Sequence, residues 1–285
     1  MKYIKLVSGS IILAGGLLAG CASENSVKKE PTQELLTAGA DLAKEQEAYK
    51  NFAMEQIDQF VLKTGEFVQA VQDGDVDKAK ALYAPARMFF ERSEPVAESF
   101  GDLDPRIDAR LADIKEEGKG EEEWSGYHKI EFGLWEENTT KGYEETAAQL
   151  LNDTKELRAK VETVEITPEL MITGAIDLLN EVSTSKITGE EEIYSHTDLY
   201  DFKANIEGAE KIYEIFKEKL SKKDMNLVET LDGRFQTINN LLAKYEDGNG
   251  GYVSFETLTP DDTKALSEAV DQLGEPLSQM AIVVE

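Results

Sequence analysis

The chain contains only two histidines, and one of them, His128, is followed at helical spacing by a carboxylate. His128 and Glu131 are three residues apart, so a helix through residues 126–135 would project both side chains from one face. An imidazole and a carboxylate in that arrangement can bind a transition-metal ion. The alternative is a hydrogen-bonded core histidine, because aromatic and aliphatic residues flank it in the sequence.

Two further carboxylates have the same spacing within an apolar stretch. Glu91 and Glu94 follow two phenylalanines, and Pro95 comes directly after them. Because proline cannot continue a helix regularly, it can leave backbone groups open to a ligand or to water. The spacing is compatible with a metal site, and equally with neutralisation of both carboxylates by Arg92 or another cation.

Other catalytic chemistry has little support in the sequence. No His-Glu-x-x-His motif occurs, so the second imidazole and the general base typical of a zinc protease are missing. No Gly-x-Ser-x-Gly motif or phosphate-binding glycine loop is present either. The second histidine, His196, precedes a predicted helix and is interpreted as a surface or capping residue, with a ligand role as the alternative.

The composition is strongly acidic. Aspartate and glutamate number 57 against 30 lysines and arginines, which gives a formal net charge of −27. Such a chain repels nucleic acids and attracts cations. Metal ions are therefore expected partners, and nucleic acids are not.

The first residues have the pattern of a bacterial lipoprotein signal. Residues 1–20 carry early lysines and an apolar stretch, and they end in Leu-Ala-Gly before Cys21, the only cysteine of the chain. This pattern predicts cleavage before Cys21 and lipidation of its thiol, which would anchor the protein to the extracytoplasmic face of the cell membrane. The polar residues 21–33 are interpreted as a lipidated tether.

Beyond the tether, apolar residues recur at three- and four-residue spacings almost throughout, and no long period-two alternation occurs. The fold class is therefore predicted to be all-α. Two four-helix bundles are expected, the first over residues 34–166 with the His-x-x-Glu motif and the second over residues 167–285. One long helix is predicted from Asp75 to Phe100, kinked or split at its prolines, and a short one from residue 104 to about residue 117.

Several stretches together resemble a known family, the EfeO/EfeM iron-uptake proteins of the imelysin-like group, which is named for a peptidase. The resemblance covers most of the chain from about residue 45. Its motifs occur in the same order, at residues 82–87 (LYAPAR), 91–98 (ERSEPVAE), 100–104 (FGDLD), 107–110 (IDAR), 126–131 (GYHKIE) and 189–202.

This resemblance implies two four-helix bundles with a metal-binding cleft, in a membrane-anchored protein that is not an enzyme. Its cargo would be iron, as Fe²⁺ or Fe³⁺, delivered to an iron permease beside a haem-type peroxidase. The ligand types also admit zinc or manganese. A metallopeptidase and a polymer-binding surface lipoprotein are the alternatives. The metal ligands implied are His128 and Glu131, with Glu91, Glu94, Asp108 and Glu191 as further carboxylates.

Overall fold

The computed structural model describes residues 42–284 of the chain. Within that range every regular element is a helix, apart from one isolated two-residue bridge in the loop before the last helix. The prediction of an all-α fold is therefore confirmed. The predicted signal peptide (residues 1–20) and tether (residues 21–33), with Cys21, lie outside the described residues.

Eleven α-helices follow one another along the described residues, and short 3₁₀ turns join several of them. None of these helices is long and apolar enough to cross a membrane. They are α1 (Ala43–Gln72), α2 (Val76–Glu91), α3 (Glu94–Ala97), α4 (Asp104–Asp108), α5 (Leu111–Glu116), α6 (Gly126–Trp135), α7 (Glu144–Val161), α8 (Pro168–Thr184), α9 (Asp198–Lys223), α10 (Met225–Leu242) and α11 (Pro260–Val284).

The first group of helices forms around an aromatic cluster. Helix α1 packs against α2 and α7, and α6 contacts both α2 and α7. Tyr127 of α6 stacks on Phe60 and Phe67 of α1, with ring centroids 5.9 and 5.2 Å apart, and its hydroxyl is 2.7 Å from the Thr64 hydroxyl. These contacts fix α6, and with it the neighbouring His128, against the centre of the molecule.

The second group comprises α8 to α11, in which α9 packs against α8, α10 and α11. Helix α9 also packs against α2 of the first group, so one continuous apolar core runs through both groups. The close approach needs Gly208, because a Cβ there would lie 2.7 Å from the Arg92 carbonyl oxygen. The division of the chain at residue 166 into two domains stays a prediction.

The predicted helix from Asp75 to Phe100 is split after Glu91. Asp75 is its N-cap and accepts a hydrogen bond from the Lys78 amide at 3.1 Å. Pro85 lies inside α2 on its exposed side, whereas Pro95 belongs to the first turn of α3. The break between them therefore leaves Glu91 and Glu94 on two different helices.

The predicted helix from residue 104 to about residue 117 is also split, since Ala109 is extended. A tertiary contact accompanies this break. Gly126 begins α6 with φ of 82°, and a Cβ there would overlap the Ile107 carbonyl. Helix α6 therefore packs directly against α4, and Asp108 at the end of α4 lies close to His128.

Candidate metal centre

His128 is held from its Nδ1 side by a carboxylate one turn later. It is 1% exposed, and its Nδ1 lies 3.1 Å from Oε2 of Glu131. The other oxygen of Glu131 accepts hydrogen bonds from the backbone amides of Tyr194 (3.0 Å) and Ser195 (2.7 Å). Both oxygens of Glu131 are therefore engaged, and the imidazole ring is fixed with Nε2 on its opposite edge.

The Nε2 atom of His128 is buried and has no hydrogen-bond partner. It faces Oδ1 of Asp108 at 3.8 Å and Oε1 of Glu191 at 3.9 Å. The three residues offer ligand atoms that all lie within 4.8 Å of one another. One nitrogen and carboxylate oxygens at this spacing can surround a single transition-metal ion with small side-chain movements.

The Nδ1 side of the ring is more crowded. Tyr83 places its hydroxyl 3.4 Å from Nδ1 of His128 and 3.3 Å from Oε1 of Glu192. Ser195 donates to the other oxygen of Glu192 at 2.9 Å. His128, Glu131 and Glu192 are also close enough to share an ion. Nδ1 itself, however, is already within hydrogen-bond distance of Glu131 and Tyr83, whereas Nε2 has no partner, so the Nε2 side is the better candidate.

The fully buried Arg87 lies behind these carboxylates. Its guanidinium contacts Asp108 and lies 2.7 Å from Glu91. Its Nε lies 2.7 Å from Glu192 and 3.4 Å from Asp201. Both are ion pairs, and neither has the geometry of a hydrogen bond. One arginine thus balances carboxylates from α2, α4, α9 and the loop before α9.

Glu91 and Glu94 lie on the far side of Arg87 and meet a second buried cation. Lys186 places its Nζ 3.2 Å from Glu91, 2.9 Å from Glu181 and 3.8 Å from Glu191. Glu91, Glu94 and Glu181 could hold an ion by their spacing, but the Lys186 ammonium already contacts two of them. Their geometry favours the alternative of neutralisation by a cation.

The sequence allowed neutralisation by Arg92 or by another cation, and the structure shows other cations at these carboxylates. Arg92 points away and pairs with Glu207 at 2.6 Å. Arg87 and Lys186 take that role instead.

The surroundings shift the protonation of the central groups. Burial and Arg87 oppose a charge on His128, but Glu131, Glu192 and Asp108 outweigh them and raise its pKa to about 9. A metal-free His128 is therefore protonated near neutral pH, and a metal ion at Nε2 must displace a proton. Burial likewise opposes the charge on Glu191, but Lys186 and the other nearby cations lower its pKa to about 2.

Two cavities lead to this site. The larger, of about 350 Å³, opens beside Asp108 and Glu191 and has several further carboxylates in its wall. The smaller, of about 250 Å³, reaches His128 between Trp124 and Tyr194. Cations therefore have an acidic path to Asp108 and Glu191.

The family model described as imelysin matches residues 45–280 of this chain. The chain belongs to the imelysin family. It is 58% identical over 247 residues to an "Efem/EfeO family lipoprotein" of Staphylococcus aureus strain MSSA476, covering 86% of this chain and 87% of that protein. The corresponding lipoprotein of strain MRSA252 is 57% identical with the same coverage.

In this imelysin-family chain the six residues predicted as ligands occupy three places. Asp108 and Glu191 lie near Nε2 of His128, and Glu131 lies at Nδ1. Glu91 pairs with Lys186, and Glu94 lies close to Glu91 and Glu181, both of which Lys186 contacts. His196 is elsewhere, with φ of 57° and its Nε2 3.6 Å from the exposed Glu256. The sequence interpretation missed four buried charged residues of the site, which are Arg87, Lys186, Glu192 and Asp201.

Proposed function

We propose that this chain binds an iron ion at Nε2 of His128, with Asp108 and Glu191 as carboxylate ligands, and delivers it to an iron permease. The observation that supports this most directly is the buried, unpartnered Nε2 that faces two carboxylates. A buried polar nitrogen without a partner is costly, and an ion would satisfy it.

The ligand types suit the proposed cargo. One imidazole and hard carboxylate oxygens are compatible with Fe²⁺ or Fe³⁺, and also with manganese or zinc. Three protein ligands leave coordination positions open, so the ion can be exchanged with a partner protein. The similarity to Efem/EfeO family lipoproteins, a family of iron-uptake proteins, favours iron among these metals.

The relatives are lipoproteins by name, and Cys21 fits the lipidation pattern of their class. We therefore place the protein on the extracytoplasmic face of the membrane, held by lipid at Cys21. Its partners would be an iron permease and a haem-type peroxidase of the same uptake system. The acidic surface would concentrate cations near the cavity.

A peptidase activity, which the name of the family model suggests, has less support. A zinc peptidase needs a free carboxylate as general base, and both oxygens of Glu131 are already hydrogen bonded. The second histidine, His196, lies away from the site. For polymer binding, the groove of about 620 Å³ between α1 and α9 is lined by Glu55, Glu207 and other carboxylates, which would repel a polyanion.

The two histidines provide a matched test. We expect His128→Asn to lower iron affinity at least about tenfold and His196→Asn to leave it unchanged, because only His128 faces the carboxylates. Equilibrium dialysis of the purified protein against Fe²⁺ under nitrogen, Fe³⁺, Mn²⁺ and Zn²⁺ measures this. Circular dichroism checks that helical content is unchanged. Wild-type iron affinity in His128→Asn would end the proposal.

A further inference from the structure

Arg87 holds a position that a metal-binding site does not require. Its guanidinium is buried among carboxylates and directly contacts Asp108, one of the proposed ligands. We propose that Arg87 competes with the bound iron ion for Oδ1 of Asp108, so that it weakens binding and speeds release. This inference rests on the proposed metal site.

The competition arises because one oxygen faces two partners. Oδ1 of Asp108 accepts from the guanidinium of Arg87, and the same oxygen lies 3.8 Å from Nε2 of His128. An ion bonded to both Nε2 and Oδ1 would lie about 2.0–2.2 Å from each. Bonding to the ion would withdraw electron density from Oδ1 and so weaken its hydrogen bond to the guanidinium, and the two positive charges would repel each other.

Asp108 is the partner that can move. Arg87 is anchored by Glu91 and Glu192, each at 2.7 Å, and lies 5.9 and 5.8 Å from the ring centres of Tyr83 and Tyr127. Asp108 ends the five-residue helix α4, and its side chain is 10% exposed at the cavity. Asp108 can therefore turn between the guanidinium and the ion while Arg87 stays in place.

A carrier gains from this arrangement because it must give up its ion. In the loaded state Arg87 would have lost its contact with Oδ1 and would lie close to another cation. Departure of the ion restores the Arg87–Asp108 pair, so part of the binding free energy is returned at release. The arginine therefore sets the affinity and the rate of dissociation without being a ligand.

The test compares Arg87→Gln with Arg110→Gln. Both variants remove one positive charge near Glu191, because Arg110 lies 3.6 Å and Arg87 3.9 Å from the Glu191 carboxylate. The difference is that Arg87 pairs with Asp108 and Arg110 does not. We expect Arg87→Gln to bind Fe²⁺ at least about tenfold more tightly than wild type and to release it correspondingly more slowly. Arg110→Gln should change the affinity by no more than about threefold, because its charge is partly exposed and screened by solvent.

Equilibrium dialysis gives the affinity, and stopped-flow capture by a chromogenic ferrous chelator gives the dissociation rate. Weaker or unchanged binding by a folded Arg87→Gln protein would overturn the inference, because it would mean that Arg87 only positions Asp108. An equal gain in Arg110→Gln would overturn it as well. The proposed metal site fails separately, if wild type and His128→Asn bind iron alike.

The wild-type protein decides the matter if Arg87→Gln does not fold. A crystal structure with bound Mn²⁺ should show Oδ1 of Asp108 on the metal and out of hydrogen-bond reach of Arg87. An Arg87–Oδ1 contact that persists in the loaded protein would refute the competition.

Discussion

Glu131 engages Nδ1 of His128, which in the proposed site leaves Nε2 as the nitrogen available to a metal. A carboxylate can only accept, so it favours the ring state with the proton on Nδ1 and leaves the electron pair of Nε2 for an ion. In the proposed site Glu131 therefore orients the ring, and its role as a ligand, which the sequence predicted, stays a prediction. Its backbone hydrogen bonds from Tyr194 and Ser195 keep it in place.

This role makes Glu131→Gln more harmful than Glu131→Ala. The Gln amide can donate to Nδ1, which would place the ring proton on Nε2 and block the metal. Alanine forms no hydrogen bond with the ring, so the ring proton can occupy either nitrogen. We expect iron affinity to fall about ten- to hundredfold in Glu131→Gln and less in Glu131→Ala, measured by equilibrium dialysis.

The exposed Glu136 at the end of α6 is the control for a lost charge, and Glu136→Gln should bind iron like wild type. A ligand role would give the opposite order of the two Glu131 variants, because the Gln carbonyl could still reach the ion.

Residue types alone reveal part of this site. The His128–Glu131 pair was predictable because a single helix fixes the relation of residues three apart. Arg87 was not, because a buried arginine and an exposed one look alike in a sequence. Its i,i+4 relation to Glu91 was the available signal for that ion pair. No such signal exists for Lys186, which pairs with Glu91 although almost a hundred residues separate the two in the chain.

At the scale of the elements, the short helix α4 depends on the start of α6. Gly126 has φ of 82°, and its Cα faces the Ile107 carbonyl closely enough to exclude a side chain. Gly118 has a similar φ of 76°, but a Cβ at that position would have no atom within 4 Å. A substitution at Gly118 therefore measures the free-energy cost of the backbone conformation without a clash.

We expect Gly126→Ala to lower the free energy of unfolding by about 3 kcal/mol or more and Gly118→Ala by only about 1 kcal/mol. The additional loss reflects the clash with α4, and it should be accompanied by weaker iron binding because Asp108 is displaced. Urea unfolding followed by circular dichroism measures the stability. Equal losses in the two variants would show that α4 and α6 do not press on each other.

Helix interiors were predictable from apolar periodicity, but the two breaks near the site were only partly so. α1, for example, buries side chains at three- and four-residue spacings, which a sequence displays directly. Pro95 marked the first break. The second, at Ala109, has no proline or glycine and coincides with the contact of Gly126 with Ile107, which no local pattern encodes.

At the scale of the whole molecule, some of the many acidic side chains are buried and others line the larger cavity. Partial desolvation in the wall of the larger cavity, reinforced by nearby carboxylates, raises the pKa values of the exposed Glu98 and the half-buried Asp104 to about 7. Burial and Glu131 raise the pKa of Glu192 to about 8. The folded protein therefore binds more protons than the unfolded chain at mildly acidic and neutral pH. His128, with its pKa raised to about 9, acts in the same direction.

Metal-free protein should consequently lose stability as pH rises from 6 to 8. Where the folded state binds more protons than the unfolded state, the free energy of unfolding falls with increasing pH. The urea midpoint in the presence of a chelator should be higher at pH 6 than at pH 8. The Glu98→Gln/Asp104→Asn double variant should flatten this dependence, because both raised pKa values are removed. A wild-type midpoint that is constant or rises over this interval would contradict the assignment of proton-binding carboxylates around the cavity.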